Sequence, residues 1–349
     1  MFFVFGCKQP IEPIDGVISY GIRLRNWAVL PSMPDARGQP AAAALGLGGW
    51  HVFSLYSEAH MRRTDSKLVV AAMKVVPSLT HFPPGLLPLI ATFLGPNSIF
   101  FAGGWNAKVG RTVDSAVCYS LDSCSWRTDV SSMRTARGSA ATVAIGGRMM
   151  VFGGLHENPK TQHLSSCEAF DPITNEWTVL SPMSTRRCYA CAVAWESRAF
   201  VFGGHDGWSA LSSVECFDSA LNTWSAIAPM STARYQAAVV AVSGCGLIVM
   251  GGLGADGLAL QSAELYDPTT NEWTAVSWQL PKPVYSFAAH CFDGVVLHIV
   301  GGIINSHLAL TGWRPTACCW SMDLSATAPI WLSLPPMPEC IHLHGSVAV

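Results

Sequence analysis

Short apolar runs recur along the chain at nearly constant intervals, and each of them ends in two adjacent glycines. Examples are RMMVFGG, RAFVFGG and GLIVMGG. Such runs, closed by glycine, predict buried β-strands that are each followed by a sharp turn. The glycine pairs are spaced by 50, 50, 48 and 50 residues, at Gly103-Gly104, Gly153-Gly154, Gly203-Gly204, Gly251-Gly252 and Gly301-Gly302. A constant spacing of this kind indicates an internal repeat.

A second spacing keeps step with the glycine pairs, because an aromatic residue stands 7 positions before a tryptophan in successive units. The pairs are Tyr20 and Trp27, Tyr119 and Trp126, Phe170 and Trp177, Phe217 and Trp224, and Tyr266 and Trp273. Between them, segments such as DPITNEW combine Pro172, which presets φ for a turn, with Asn175, which tolerates a left-handed backbone. Each unit therefore predicts a hairpin. The tryptophans are expected to lie between units, where large rings bury the most area.

The order of Gly-Gly, aromatic residue and tryptophan, with a step of about 50 residues, resembles the kelch-repeat family. The resemblance covers most of the chain and implies an all-β fold, a kelch-type β-propeller of four-stranded blades. Five firm units and two weaker ones predict seven blades. The last residues, HGSVAV, look like an innermost strand without a blade, and MFFVFG looks like a second strand without a first. We therefore expect the N- and C-terminal strands to pair and close the propeller, since closure removes exposed sheet edges.

The units keep the pattern to different degrees. Residues 99–349 carry the firm repeats and residues 1–98 the degenerate ones. We expect 1–349 to form a single domain, because a closed propeller of this length is built by radial repetition. In residues 57–98 neither the aromatic residue nor the tryptophan stands where expected, which predicts a degenerate second blade. The alternative is that LLPLIATFL forms helical turns, since it faintly resembles the opening of an F-box, but an F-box needs far more chain before the strand IFFAGG.

Composition narrows the class of protein and of partner. Hydrophobic residues make up 50% of the chain and charged residues 13%, which suits strands covered on both faces. A formal net charge of -2 gives no electrostatic footprint for nucleic acid or an anionic membrane. No segment predicts a signal peptide or a membrane span. The 12 cysteines lie mostly in predicted strands, where reduced cysteine packs as a small apolar residue, so we expect a cytoplasmic protein.

The sequence predicts no catalytic site, cofactor or metal site, although several kelch-fold proteins are enzymes. Galactose-oxidase-like copper sites need tyrosines and histidines, and three of the seven tyrosines here hold repeat positions. The iron-binding Glu-x-x-x-Asp run of specifier-type members is absent, as is the export signal usual in sialate-mutarotase-like members. Cys188 and Cys191 form a lone CxxC whose side chains would point to opposite faces of a strand. His342 and His344 share a strand face, but an isolated pair at a chain end is typical of packing or surface residues.

Three glutamates, Glu168, Glu215 and Glu264, each stand two residues before the repeated aromatic residue and so share one strand face. Because they recur at equivalent positions, we interpret them as structural hydrogen-bond partners of the repeated arginines. Those arginines are Arg137, Arg187 and Arg234. Some kelch proteins use an arginine near this position to hold an acidic peptide, which keeps the three arginines among the candidates for partner binding.

Binding specificity must come from residues that differ between repeats, and the loops directly after the glycine pairs differ most. We expect these loops to emerge on one face, because every second strand runs in the same direction. Exposed tryptophan is enriched at interaction hot spots, which singles out Trp105 and Trp208; the alternative is that both fold back on their own blades. The candidate partner-binding face comprises Trp105, Asn106, His156, Glu157, His205, Asp206, Trp208, Asp256, Asn305, His307, Arg137, Arg187 and Arg234.

The predicted function is a non-catalytic platform for another protein or a peptide, with neither nucleic acid nor a membrane as partner. Two alternatives stay open. The first is the substrate-recognition part of a cullin-type ubiquitin ligase whose adaptor domain is absent from this chain. The second is a kelch-fold enzyme of the oxidase or sugar-mutarotase type.

Overall fold

The computed structural model describes most of residues 98–337 and, nearer the two ends of the chain, the backbone of the strands. The described ranges are 2–8, 12–21, 26–29, 37–38, 41–45, 98–106, 110–120, 123, 125–157, 162–292, 294–305, 313–337 and 342–348. These residues form β-strands and turns, and no helix lies among them. The prediction of an all-β fold is confirmed.

Short strands joined by tight turns account for nearly all of this structure. In chain order they are β1 (Phe2–Lys8), β2 (Glu12–Gly21), β3 (Asn26–Val29), β4 (Arg37–Gly38), β5 (Ala41–Leu45), β6 (Ser98–Ala102), β7 (Trp105–Asn106), β8 (Arg111–Thr112), β9 (Ala116–Ser120), β10 (Ser125–Arg127), β11 (Ala141–Ile145), β12 (Arg148–Phe152), β13 (Cys167–Asp171), β14 (Glu176–Leu180), β15 (Cys191–Trp195), β16 (Arg198–Phe202), β17 (Val214–Asp218), β18 (Thr223–Ile227), β19 (Ala238–Val242), β20 (Gly246–Met250), β21 (Ala263–Asp267), β22 (Glu272–Ala275), β23 (Val284–Tyr285), β24 (Ala288–Phe292), β25 (Val296–Val300), β26 (Ile303–Asn305), β27 (Trp313–Pro315), β28 (Cys319–Asp323), β29 (Leu332–Leu334) and β30 (His342–Ala348).

Within the described residues, five separate four-stranded antiparallel sheets each follow the repeat, and we call them blades 1 to 5. They are β5-β6-β9-β10, β11-β12-β13-β14, β15-β16-β17-β18, β19-β20-β21-β22 and β24-β25-β28-β29. In each blade the glycine pair follows the second strand. The first strands of consecutive blades contact one another, β5 with β11, β11 with β15, β15 with β19 and β19 with β24, which places them innermost.

The prediction of seven blades is wrong, because the described residues form five blades of the repeat and β5, which lies in the degenerate region 1–98, belongs to blade 1. Strand β5, with the sequence AAAAL, pairs directly with β6, from Ala41 opposite Ala102 to Leu45 opposite Ser98. Residues 46–97 therefore connect two adjacent strands of one blade, where blade 2 has only the turn at residues 146–147. Residues 57–97, which hold the predicted degenerate blade and its F-box-like alternative, lie outside the described residues.

The two ends of the chain lie side by side. Strand β30 runs antiparallel to β1, from Phe2 opposite Ala348 to Cys7 opposite His342, and the sheet continues through β2 to β3. Strand β2 also pairs with β4, which links this terminal sheet to the short ladder β4-β7-β8. Strand β30 contacts both β24 of blade 5 and β5 of blade 1.

Aromatic side chains fill the space between blades, as the sequence predicted. Trp224 of blade 3 packs edge-on against Phe152 of blade 2, with their ring centroids 5.2 Å apart. The indole nitrogens of four tryptophans also donate hydrogen bonds to carbonyl oxygens of the preceding blade. These bonds join Trp177 to Ser131, Trp224 to Ser181, Trp273 to Ala228 and Trp331 to Gln279. A wedge of this kind buries apolar area without leaving the indole N–H unsatisfied.

An asparagine two residues before three of these tryptophans completes the contact between blades. Its Oδ1 accepts the N–H of the same residue whose carbonyl oxygen binds the tryptophan, so both backbone groups of that residue are held. Asn175, Asn222 and Asn271 make these bonds to Ser131, Ser181 and Ala228. All three asparagines have a left-handed backbone, with φ of 57°, 53° and 58°, as expected at this turn.

The glycine pairs are required where neighbouring blades meet. Gly203 has a φ of +57°, and a Cβ on it would collide with the backbone oxygen of Arg234 in the next blade. Gly204, with a φ of +95°, donates its N–H to that same oxygen at 2.9 Å. The blade therefore turns sharply and binds its neighbour at one place, which only glycine permits.

Candidate interaction face

A buried ion pair repeats at the end of blades 2, 3 and 4 that carries the glycine pairs. In blade 3, Arg187 donates from Nη1 to the carbonyl oxygen of Gly203 at 2.6 Å and from Nη2 to Oε1 of Glu215 at 2.7 Å. Glu215 also accepts the N–H and the hydroxyl of Ser184, both at 2.7 Å. The equivalent pairs, Arg137 with Glu168 and Arg234 with Glu264, are also 2.7 Å long. The predicted pairing of the repeated glutamates and arginines is confirmed.

The three arginines of these pairs are not available to a partner. Their side chains are completely buried, and their guanidinium groups bind carbonyl oxygens and a carboxylate inside the blade. Burial opposes ionisation of Glu215, but the hydrogen bonds from Ser184 and the Arg187 guanidinium keep its pKa below the ordinary value. The expectation that Arg137, Arg187 and Arg234 belong to a partner-binding face is therefore wrong.

Blade 5 lacks both members of the pair. Val284 stands at the arginine position, because its carbonyl oxygen accepts the N–H of Gly252 just as that of Arg234 accepts the N–H of Gly204. Cys318, two residues before the aromatic Trp320, stands at the glutamate position. A buried charge without its partner is strongly destabilising. The replacement of both the arginine and the glutamate in blade 5 therefore indicates that the two residues form a structural pair.

Beyond its glycine pair each blade adds a short extension of three paired segments, which are strands in blades 1 and 5 and isolated bridges in blades 2 to 4. We call the surface formed by these extensions the Gly-Gly face. It consists of the loops after the glycine pairs and of the connections 134–140, 184–190, 231–237 and 281–287. The residue after each glycine pair lies at the centre of its extension: Trp105, Leu155, His205, Leu253 or Ile303. Leu253 and Ile303 are buried with Tyr285, whereas Trp105 is 42% exposed. The central residue of the extension is therefore covered in blades 4 and 5 and more accessible in blade 1.

The connections of successive blades are hydrogen-bonded to one another around the inner edge of this face. The N–H of Tyr189 donates to the oxygen of Ser139 at 2.9 Å, that of Gln236 to Tyr189 at 2.8 Å, and that of Ser286 to Gln236 at 2.9 Å. All four residues have a left-handed backbone. Neighbouring blades are thus fixed relative to each other where the face begins.

A row of four half-buried aromatic rings crosses blades 2 to 4 on the Gly-Gly face. The ring centroids of His163 and His205 are 6.3 Å apart, those of His205 and Tyr235 5.3 Å, and those of Tyr235 and Tyr189 6.4 Å. Sequence reasoning identified only His205, because it compared the loops after the glycine pairs. The signal for the two tyrosines lies in the residues after the repeated arginines, which also vary between units.

Neighbouring charged and polar groups shift the pKa of His163 in this row and of Asp206 beside it. Burial lowers the pKa of His163, and the nearby His205 and the exposed Arg186 lower it further, while Asp206 acts in the opposite direction. Hydrogen bonds from the N–H groups of Ser209 and Trp208 lower the pKa of Asp206, which is therefore ionised at neutral pH.

Among the described residues of the Gly-Gly face, Trp208 is the most exposed large hydrophobic side chain, at 83%. It follows Asp206, whose Oδ1 accepts the N–H groups of both Trp208 and Ser209 at 2.8 Å. The alternative in which Trp208 folds back on its own blade does not agree with this exposure. Trp208 instead projects from a hydrogen-bonded turn.

The remaining residues predicted for this face occupy different environments. Glu157 is exposed, and its carboxylate accepts the backbone N–H of Thr112 in blade 1. Asp256 is exposed and His156 half-buried. Asn106 is buried in β7, so its assignment to a partner-binding surface is wrong. The backbone of Asn305 lies in β26, and His307 lies outside the described residues.

The thiols of the lone CxxC, Cys188 and Cys191, are buried and half-buried, respectively. Within the part of the chain that the structure describes, no cluster of three or more His, Cys, Asp or Glu side chains is placed to hold a metal ion. Burial raises the pKa of Cys188 and of Cys191 to about 12, so both thiols stay protonated at neutral pH and are poor nucleophiles. The side chains of His342 and His344 lie outside the described part. Among the described residues, no helix has the length and apolar character needed to cross a membrane.

Comparison with known proteins gives a consistent result. The family model described as KLHDC2/KLHL20/DRC7 Kelch-repeats domain matches residues 90–302. Kelch-like protein 25 of Rattus norvegicus is 28% identical over 325 residues, which are 91% of this chain and 50% of that protein. Kelch-like protein 36 of Bos taurus is 26% identical over 196 residues, 53% of this chain and 30% of that protein. Alpha-scruin of Limulus polyphemus is 25% identical over 166 residues, 45% of this chain and 18% of that protein.

The chain spans half or less of the length of these curated relatives. The family match nevertheless extends over more than half of the chain, and it contains all five glycine pairs, with Gly302 as its last residue. The spacing of the repeat and the four-stranded sheets built on it agree with that match. This chain belongs to the kelch-repeat family.

Proposed function

We propose that this chain is a non-catalytic platform that binds another protein or a peptide on its Gly-Gly face. The observation that carries the proposal is the 83% exposure of Trp208 on a hydrogen-bonded turn. Large exposed apolar groups mark interaction sites, and tryptophan is enriched among the residues that dominate binding energy. The kelch-like relatives support a protein-interaction role.

The scaffold of this platform is, in our proposal, one closed ring of six blades that spans residues 1–349 as a single domain. The terminal sheet β30-β1-β2-β3 is the sixth blade. The pairing of β1 with β30 supports this arrangement, as do the contacts of β30 with the innermost strands on both sides, β24 and β5. Closure leaves no open edge between the first blade and the last.

The proposal involves no cofactor, metal or reaction, and neither nucleic acid nor a membrane as partner. The proposal places the protein in the reducing environment of the cytoplasm. The cysteines that the structure describes are free thiols, which supports this location. Metal analysis of the purified chain, with assays for oxidase and sugar-mutarotase activity, tests the enzyme alternative.

A second candidate is the substrate-recognition part of a cullin-type ubiquitin ligase. The observation that favours it is that the kelch-like relatives extend well beyond the matched region, which is 30% to 50% of their length. In such an assembly the Gly-Gly face binds the substrate and another domain contacts the ligase. Co-purification of a cullin with the full-length polypeptide tests this candidate.

Affinity capture with the tagged chain tests the platform directly. The test variant is Trp105→Ala combined with Trp208→Ala. The control is Leu221→Ala, because Leu221 is 71% exposed on a turn at the opposite end of blade 3. We expect the wild type and the control to capture the same protein and the double variant to lose it, with melting temperatures within a few degrees of one another. Capture that persists in the double variant, or collapse of its fold, contradicts the proposed face.

A further inference from the structure

We propose that Trp208 and Leu258, on neighbouring blades, are two projecting anchors that insert into apolar pockets rimmed by lysine or arginine on a folded partner protein. This inference rests on the proposed function and goes beyond it, because it specifies the shape and the charge of the partner surface. We call Trp208 and Leu258 the two anchors.

The turn that carries Trp208 is held by contacts on both sides. Besides the two bonds to Asp206, the N–H of Gly207 donates to Nδ1 of His205 at 3.0 Å. A Cβ on Gly207 would lie 2.8 Å from the ring of His163, so the turn rests directly on a side chain of blade 2. The indole is therefore presented by an ordered backbone, which lowers the conformational entropy that binding would otherwise cost.

Leu258 is presented in the same way one blade further on. The Oδ1 of Asp256 accepts the N–H of Leu258 at 3.0 Å, and the oxygen of Leu258 accepts the N–H of Gly254 at 2.9 Å. The side chain is 54% exposed. Both loops thus contain Asp-Gly followed by a large apolar residue, although their lengths and other residues differ.

The two anchor loops belong to one rigid surface. The ring of His205, which precedes the Trp208 turn, packs edge-on against Tyr235, and Tyr235 is bridged to Leu253 at the base of the Leu258 loop. The hydrogen bond from Gln236 to Tyr189 joins the same two blades. A partner therefore meets both anchors in a fixed relative position.

The shape of the anchors favours a folded partner over an extended peptide. A side chain exposed as fully as Trp208 has its apolar surface directed outwards, so its burial needs a recess in the partner. An extended peptide has no recess of this size, whereas a folded surface does. The indole N–H also needs an acceptor once it is buried, which a backbone carbonyl in the pocket supplies.

Charge gives the partner its second feature. The only Asp, Glu, Lys or Arg residue in the loop at 205–213 is Asp206, and the only one at 253–262 is Asp256. Both carboxylates accept a hydrogen bond from the anchor's own N–H, whereas the exposed Arg186 lies outside the two loops, so a cationic rim complements the anchor loops. The same carboxylates oppose adsorption to an anionic membrane, which would otherwise suit exposed tryptophan and leucine.

Site-specific photo-crosslinking tests this inference. The probe is p-benzoylphenylalanine, placed singly at Trp208, Leu258, Tyr189 or Leu221 in the full chain and irradiated in cell lysate. We expect positions 208 and 258 to crosslink to the same folded protein, at apolar residues adjacent to lysine or arginine. Position 221 should not crosslink to that protein.

Affinity for the crosslinked protein, once purified, then provides the quantitative test. We expect Trp208→Ala to weaken binding on the order of thirtyfold and Leu258→Ala about tenfold, with Leu221→Ala unchanged. Asp206→Asn keeps an acceptor for the turn but removes the charge. We therefore expect it, combined with Asp256→Asn, to weaken binding and to flatten its dependence on salt.

The outcomes separate this inference from the proposed function. Crosslinks from Tyr189 without any from the anchors overturn the inference and leave the platform standing. Crosslinks from the anchors to a second copy of this chain, to lipid or to an unfolded segment also overturn it. If none of the three positions on the Gly-Gly face crosslinks to a protein, both the inference and the proposed function fail.

Discussion

The arginine and the glutamate buried in blades 2, 3 and 4 illustrate how recurrence marks a structural role for single residues. In blade 3, Arg187 donates hydrogen bonds to Glu215 and to the carbonyl oxygen of Gly203 in the glycine turn. Glu215 also accepts the N–H of Ser184 in the connection. His205 and Trp208 recur nowhere else in the repeat, and they lie on the accessible surface. The recurrent polar residues of these pairs are thus buried and hydrogen-bonded within the fold, whereas the divergent Trp208 is exposed and His205 is half-buried.

The arginine–glutamate pair should behave as a unit. Arg187→Val leaves Glu215 buried without its cation, so we expect unfolding to become easier by about 3–5 kcal/mol, and Glu215→Cys should cost a similar amount. The double variant copies Val284 and Cys318 of blade 5, and we expect it to recover at least half of the loss. Urea unfolding of the four proteins gives the coupling energy. Simple additivity would show that the pair is not a unit.

Buried histidines should make stability depend on pH. His290 lies opposite His298; burial and this neighbour lower the pKa of His290 to about 3, and burial lowers that of His298 to about 4. An unfolded histidine has a pKa of about 6.5, so the unfolded chain binds more protons between about pH 6.5 and pH 4. The free energy of unfolding should therefore decrease as the pH falls through this window.

His290→Gln should make the free energy of unfolding less dependent on pH between pH 6.5 and pH 4.5 in denaturant titrations. The lowered pKa of Glu215 and that of Glu264 add a further loss, because these carboxylates stabilise the fold above their unfolded pKa of 4.5 and lose that contribution below it. Identical pH profiles for the wild type and His290→Gln would contradict this assignment.

The hairpin of the third and fourth strands is the element that joins each blade to the one before it. Its asparagine and its tryptophan hold a single residue of the preceding blade by both backbone groups, as Asn222 and Trp224 hold Ser181. The sequence predicted the left-handed turn and the wedge, because both follow from local chemistry. The bond between blades was not predictable, since it depends on which residue of another unit approaches the turn.

Substitutions of Asn222 separate the two roles of this turn. Asn222→Gly keeps the left-handed backbone and loses the bond to Ser181, which should cost about 1 kcal/mol. Asn222→Ala loses the bond and also strains the backbone, which should add about 1–2 kcal/mol. Thermal and urea unfolding measure both values. Equal costs for the two variants would mean that the backbone conformation of this turn is not strained.

Trp224→Ala tests the wedge itself. Removal of this large, half-buried ring should cost about 3–5 kcal/mol, because both the packing against Phe152 and the bond to Ser181 are lost. Trp208→Ala provides the matched control, since it removes the same side chain from an exposed position, and its cost should be within about 0.5 kcal/mol. Similar losses in the two variants would contradict the distinction between wedge and anchor.

For the whole molecule, the repeat predicted the architecture but not the number of blades. Spacing counts units but does not show which strands pair, and it assigned two units to residues 1–98. Only the pairing of Ala41 with Ala102 shows that β5 and β6 belong together. The sequence assigned Trp208 to the candidate face but not His163, Tyr189 or Tyr235. The rings of these three residues come together with His205 only when three blades are assembled.

Closure of the ring can be tested by deletion. In the proposed ring β30 supplies the innermost strand of the sixth blade, so its loss exposes the edge of β1 and the inner faces of two neighbouring blades. We expect a chain that lacks residues 344–349 to melt at a lower temperature and to aggregate. An unchanged melting curve would count decisively against the closed ring.

The central claim is that recurring residues maintain the fold and divergent residues of the Gly-Gly face bind the partner. A mutational scan that measures protein abundance and partner capture for every variant in parallel tests it most directly. The account predicts that substitutions at Arg187, Gly203 and Trp224 lower abundance and capture together. Substitutions at His205, Trp208 and Leu258 should lower capture at normal abundance. If substitutions that reduce capture alone fall instead at the opposite end of the blades, around Leu221, the account is wrong.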